Sequence, residues 1–122
     1  WCRENGVGVI PYSPMGRGLL TGKISATHEY PPSDHRSKLP DFQPGRREAI
    51  LEALAEIGPI CLEKGVTLGN LAVAWVLSQP GVTAALVGAR NALQAKENAV
   101  ALEVCLDERE EHAIRKVFEA LD

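Results

Sequence analysis

Val7-Gly8-Val9-Ile10-Pro11-Tyr12 runs straight into Ser13-Pro14-Met15-Gly16-Arg17-Gly18-Leu19-Leu20-Thr21-Gly22-Lys23, and the reading of this passage decides the fold. Its first half is apolar and punctuated by Gly6 and Pro14, the pattern of a short buried strand. Pro11 counts against a central place in a sheet, because it has no N–H to give a ladder. The second half sets three glycines, the Ser13 hydroxyl and the Lys23 ammonium close together. Glycine allows backbone N–H groups to approach an anion, and the other two groups add a hydroxyl and a positive charge. A phosphate cradle and a turn-rich loop fit these glycines equally well.

The familiar nucleotide signatures do not fit. A Walker loop ending at Gly22-Lys23 needs glycine where Arg17 stands, and Ser or Thr where Ile24 stands. A dinucleotide G-x-G-x-x-G beginning at Gly6 meets Pro11 in its third glycine position.

Beyond the junction, residues 13–45 read as a long, proline-rich irregular stretch. A loop of that length in a compact domain is usually functional. From Arg46 the period becomes helical: Ile50, Leu51, Leu54, Ile57 and Cys61 share one stripe, with a kink or break expected at Gly58-Pro59. Thr67 is placed to cap a second helix carrying Leu68, Leu71, Ala72, Trp75 and Val76, which Gln79-Pro80-Gly81 ends. Val82-Thr83-Ala84-Ala85-Leu86-Val87 then reads as a second strand, buried on both faces.

The junction after it runs Gly88-Ala89-Arg90-Asn91-Ala92-Leu93-Gln94-Ala95-Lys96-Glu97-Asn98. Asn91 and Gln94 have the spacing of a capping box opening a helix to about Leu102. Gly88 permits close approach, and Arg90 offers a forked cation beside a helix N-terminus. Gln94, Glu97 and Asn98 share a helical face, where amide and carboxylate groups can read an adenine edge. A solvated surface helix with a capping box is the plainer alternative. A last helix begins at Asp107 with Glu110 three residues on, and buries Ile114, Val117, Phe118 and Leu121.

The element order is therefore α/β, in β/α units. Two units cannot close a parallel sheet, whereas a full (β/α)8 TIM barrel takes about 250 residues. In 122 residues the expectation is a partial barrel: two of its β/α units, about a quarter of the whole, plus a terminal helix. A flavodoxin-like sheet would need about five strands, and only two can be placed.

Composition narrows the function. Thirteen Lys+Arg against sixteen Asp+Glu leave a net charge of −3, which argues against a general nucleic-acid binder. The longest apolar run, Leu71 to Leu77, is far short of the roughly 20 residues that cross a bilayer. Cys2, Cys61 and Cys105 are odd in number and contain no C-x-x-C, so no disulfide framework or zinc site is indicated. A reducing cytoplasmic location is the expectation. The start at Trp1 rather than Met suggests a piece of something longer.

Taken together, Ser13-Pro14-Met15-Gly16-Arg17-Gly18, Gly22-Lys23, Asp34-His35-Arg36 and Gly88-Ala89-Arg90-Asn91 through Gln94, Glu97 and Asn98 resemble the aldo-keto reductases. The likeness covers essentially all of residues 1–122 and corresponds to the C-terminal third of that family's single barrel domain. The two strands would be its seventh and eighth, and Trp75 fits the helix before the last one. The resemblance implies an NADP(H)-dependent oxidoreductase that reduces aldehydes or ketones by hydride transfer. It places Tyr12 against the nicotinamide and Ser13, Pro14, Met15, Gly16, Gly18 and Lys23 along the pyrophosphate. Gly88 and Arg90 would hold the adenosine 2′-phosphate side, and Gln94, Glu97 and Asn98 the adenine, with Arg36 closing the long loop. The family's catalytic Asp, Tyr, Lys and His correspond to nothing here and are expected upstream of residue 1. Neither Tyr12 nor Tyr30 replaces the tyrosine, and His28, His35 and His112 read as loop or surface residues. A small carbonyl compound is the implied partner of the complete chain, with no nucleic acid, membrane or metal. A non-catalytic NADP(H)-binding regulatory subunit, or a truncated remnant of the barrel, is the alternative.

Overall fold

The computed structural model describes residues 1–121. Four α-helices dominate it: α1 (Arg46–Lys64), α2 (Leu68–Ser78), α3 (Ala92–Ala99) and α4 (Glu108–Glu119). Each begins where local chemistry allows. Glu48 of α1 accepts a hydrogen bond from the Gly45 N–H, and Thr67 Oγ1 accepts from the Asn70 N–H of α2 at 3.1 Å. Asn91 Oδ1 accepts from the Gln94 N–H at 2.9 Å, and Asp107 and Glu110 cap α4 reciprocally at 2.8 Å each. These bonds satisfy N–H groups that the first helical turn leaves free.

Of the kink or break expected at Gly58-Pro59, the break does not occur: α1 continues through Pro59 to Lys64. Pro59 and Ala55 both lie on the exposed side, so the carbonyl that loses its partner to proline faces water. Gly65, at φ 66°, then turns the chain, and α2 leaves at 90° to α1. α3 is shorter than expected; after Ala99 it tightens into a 3-10 turn, Val100–Glu103.

The core lies among helices. Leu54, Ile57 and Ile50 of α1, Leu71 of α2 and Ile114 of α4 close around Leu19 and Phe42 from the long loop. Val117, Phe118 and Leu121 pack at its edge. Lys64 Nζ bridges to Glu110 Oε1 at 2.9 Å, locking the end of α1 to the start of α4, and that hydrogen bond raises the lysine's pKa. The long loop is itself ordered by 3-10 turns at Gly16–Thr21, His35–Lys38 and Pro40–Phe42.

The two expected strands are not strands among the described residues. They meet in two isolated parallel bridges, Val9 with Val82 and Tyr12 with Leu86. Val9 O accepts from the Thr83 N–H at 2.8 Å and Pro11 O from the Leu86 N–H at 2.9 Å. Two causes prevent a ladder. Pro11 has no N–H to return, and the bridges stand three residues apart on the first segment but four apart on the second. The expectation of a doubly buried second strand is also corrected, since Leu86 is 63 % exposed. Among the described residues no further bridge borders the pair, so its outer edges are unpaired; Ile10, Tyr12 and Leu86 are exposed, while Val9, Val82 and Val87 are half-buried.

Candidate cofactor site

Both junctions leave the bridged pair on the same side, and between them lies a cavity of about 850 Å³. Tyr12, Ser13, Pro14, Met15, Gly18, Lys23, Arg36, Gly88, Arg90, Gln94, Glu97 and Asn98 all line it. Gly16, also expected there, does not. Its N–H is bonded to Ser13 O at 2.9 Å, and at φ 54° it makes the turn rather than the wall.

The glycines serve the loop differently from the cradle reading. The Gly18 N–H goes to Met15 O at 3.0 Å and the Gly22 N–H to Leu19 O at 3.5 Å, so these donors close turns instead of facing an anion. Gly22 is also tight against α2: a Cβ there would stand 2.7 Å from Leu68 Cδ1. Ser13 (φ 55°) and Arg17 (φ 54°) take up left-handed backbone without being glycine. Such conformations cost on the order of 1–3 kcal/mol and gather at functional sites.

Charge is what marks the cavity. Arg17, Lys23, Arg36 and Arg90 line it against a single carboxylate, Glu97, in a chain whose overall charge is negative. A concave wall with that excess attracts polyanions. The exposed Tyr12 ring, with Pro14, Ile24 and Leu86, supplies apolar surface beside the cations. Arg17, Thr21, Ile24, Leu86, Val87 and Ala89 line the cavity without having been singled out from sequence. The only sequence signal for Arg17 and Thr21 was their position between the glycines.

Arg36 is held firmly. Its Nη2 lies 2.6 Å from Asp34 Oδ2, its Nε 3.0 Å from Asp34 Oδ1, and its Cζ stands 4.6 Å above the Tyr30 ring. That hydrogen-bonded guanidinium pulls the Asp34 carboxyl down to a pKa of about 2. In the second junction the amides are partly committed. Gln94 Oε1 accepts from the Arg90 N–H at 2.8 Å, one residue earlier than a capping box predicts, and Asn98 Nδ2 donates to Gly88 O at 3.1 Å. Gln94 Nε2, Asn98 Oδ1 and the Glu97 carboxylate remain to face a ligand.

The other titratable groups stand apart. His28, His35 and His112 are exposed, and the Tyr30 hydroxyl is buried without a partner. Cys61 is buried, which pushes its thiol pKa up; Cys2 is half-buried and Cys105 exposed. Among the described residues no cluster of His, Cys, Asp and Glu could hold a metal, and no single helix is long and apolar enough to cross a membrane.

The sequence model of the Aldo/keto reductase family matches residues 1–119. The chain belongs to this family. Among its relatives, the NADH-specific methylglyoxal reductase of Escherichia coli (strain K12) is 36 % identical over 121 residues, covering 99 % of this chain and 36 % of that protein. The aldo-keto reductase yakc of Schizosaccharomyces pombe, whose name carries NADP(+), is 32 % identical over 121 residues, covering 99 % of this chain and 35 % of its own. A glycerol dehydrogenase from Gluconobacter oxydans superposes with a TM-score of 0.90 at 31 % identity, over 98 % of this chain and 36 % of that structure. This aldo/keto reductase chain therefore spans about a third of the length of the curated relatives it matches.

Proposed function

We propose that this chain is the dinucleotide-gripping part of an aldo/keto reductase, the last two β/α units and C-terminal helix of a (β/α)8 barrel. Its cofactor is NADP(H), and the complete protein reduces aldehydes or ketones in the cytoplasm. One observation carries the reading: two junctions far apart in sequence converge on one cavity that gathers Arg17, Lys23, Arg36 and Arg90. The residues fit such a ligand. Lys23 and Arg36 suit the pyrophosphate, Arg90 the 2′-phosphate, Gln94, Glu97 and Asn98 the adenine, and the Tyr12 ring a flat nicotinamide. When bound, the reduced nicotinamide supplies a hydride to a carbonyl carbon. This chain's own residues bind and orient the cofactor.

The relatives divide on cofactor, one NADH-specific by name and the other carrying NADP(+). Arg90 favours NADP(H) here, because a guanidinium beside a helix N-terminus gains most from a phosphate. Calorimetric titration of the chain with NADPH and NADH tests this. The expected result is binding of both with NADPH tighter, and no loss of reduced-cofactor absorbance when an aldehyde is added. Absence of heat with either cofactor overturns the reading.

A further inference from the structure

Arg47 is buried, with 6 % of its surface exposed, and no carboxylate lies within ion-pairing distance of it among the described residues. It occupies the first turn of α1, where the helix dipole disfavours a cation. A buried, unpaired guanidinium is a costly choice where an apolar side chain would fill the same space. What it does gain is two backbone carbonyls of the long loop: Nη1 donates to His28 O at 2.7 Å and Nη2 to Ala26 O.

From there the contacts run unbroken to the cavity. The His28 ring meets the Tyr30 ring edge-on at 4.5 Å, and Tyr30 meets the buried Phe42 at 5.5 Å. Tyr30 then carries Arg36 on its face, while Asp34 grips one edge of the guanidinium through Nε and Nη2. Nη1 makes no hydrogen bond within the described residues, and Arg36 lines the cavity. A long side chain on a loop would otherwise lose considerable rotamer freedom on binding an anion.

We propose that Arg47 is a positioning residue for cofactor binding. It pins residues 26–28 to α1, so that Tyr30 and Asp34 present Arg36 ready-oriented to the anionic ligand. The inference rests on the cavity being the dinucleotide site, and its test separates the two. NADPH affinity is measured by calorimetry for the wild type, Arg47→Met, Arg36→Ala and the double variant. Each single change is expected to weaken binding about three- to tenfold, with the double variant no worse than Arg36→Ala alone. Arg47→Lys, which keeps the charge but not the fork, should recover part of the loss. An undiminished Arg47→Met effect in the Arg36→Ala background would mean general destabilisation and overturn the proposal.

A second measurement needs no cofactor. In Arg47→Met, tryptic cleavage after Arg36 and Lys38 should accelerate severalfold while the helical circular dichroism is retained; should that variant not fold, Arg47→Lys takes its place. Unchanged cleavage overturns the anchoring role. Should the wild type bind no dinucleotide while cleavage still accelerates, the cofactor reading fails and the anchor stands.

Discussion

Leu71-Ala72-Val73-Ala74 of α2 and Val82 to Val87 are about equally apolar, yet Leu71 is 1 % exposed and Leu86 63 %. The difference lies in what each kind of backbone needs from its surroundings. α2 closes its own hydrogen bonds and needs cover on one face, which α1 and the Leu19 turn provide. An extended segment needs partners along both edges and on both faces, and among the described residues each here is bridged along one edge only, by the other. Stability therefore resides in the helices, and the cofactor-facing chemistry in the thinly covered pair and its two junctions.

The largest expected effect tests the helical side. Leu71→Ala should cost about 2–5 kcal/mol of unfolding free energy by urea denaturation. A cost no greater than that of Leu86→Ala would erase the contrast. Arg90→Ala tests the other side: NADPH should bind about tenfold more weakly, NADH almost unchanged, and the unfolding midpoint should not move. Equal losses for both cofactors in paired titrations would remove the 2′-phosphate assignment. Thr67→Ala removes a single cap and should destabilise by about 1 kcal/mol without touching cofactor affinity. Leu86→Thr, on the exposed segment, should stay within about 0.5 kcal/mol of wild type, and a larger loss would reveal burial that the bridged pair lacks.

The smallest effect is a proton. The Asp34 carboxyl, held by Arg36, is depressed from 3.8 to about 2. A depressed carboxylate contributes its full stabilisation above 3.8 and loses it as pH falls through about 2. The Arg36 geometry should thus be constant across neutral and mildly acidic pH. A carboxyl NMR titration of Asp34 with its midpoint near 3.8 would show that the pair does not form in solution.

Legibility followed the range of the interaction. The caps at Thr67, Asn91 and Asp107 were readable because a cap is settled within four residues. Twelve of the cavity-lining residues were named through resemblance, since the junctions carry several motifs in fixed order, whereas Thr21, Ile24, Leu86 and Val87 lay outside those motifs. Three things were not readable. Whether the junction glycines point their N–H groups outward depends on which carbonyls the turn brings near, and here it brings Ser13, Met15 and Leu19. Pro59 reads as a kink or break, but its exposed side of α1 lets water take the freed carbonyl. Arg47 carries no local signal; only the path of the loop, some twenty residues upstream, puts carbonyls against it.

The unequal spacing of the two bridges has a consequence for how this chain tolerates changes in length. Side chains alternate along extended backbone, and the unequal count interrupts that alternation on the second segment: Val82, Ala85 and Val87 are half-buried, while Thr83, Ala84 and Leu86 are exposed. The second segment thus carries one extra residue between the bridges. Removing a residue between Leu86 and Arg90 would draw everything from Arg90 onward back by one residue, about 3.3 Å, against the Tyr12–Leu86 bridge. Arg90 and the Gln94-Glu97-Asn98 face would then miss the opposite junction although each of those side chains was still present. Single-residue deletions should be far more damaging between Leu86 and Arg90 than between Val82 and Leu86, where the extra residue can be given up with both bridges kept.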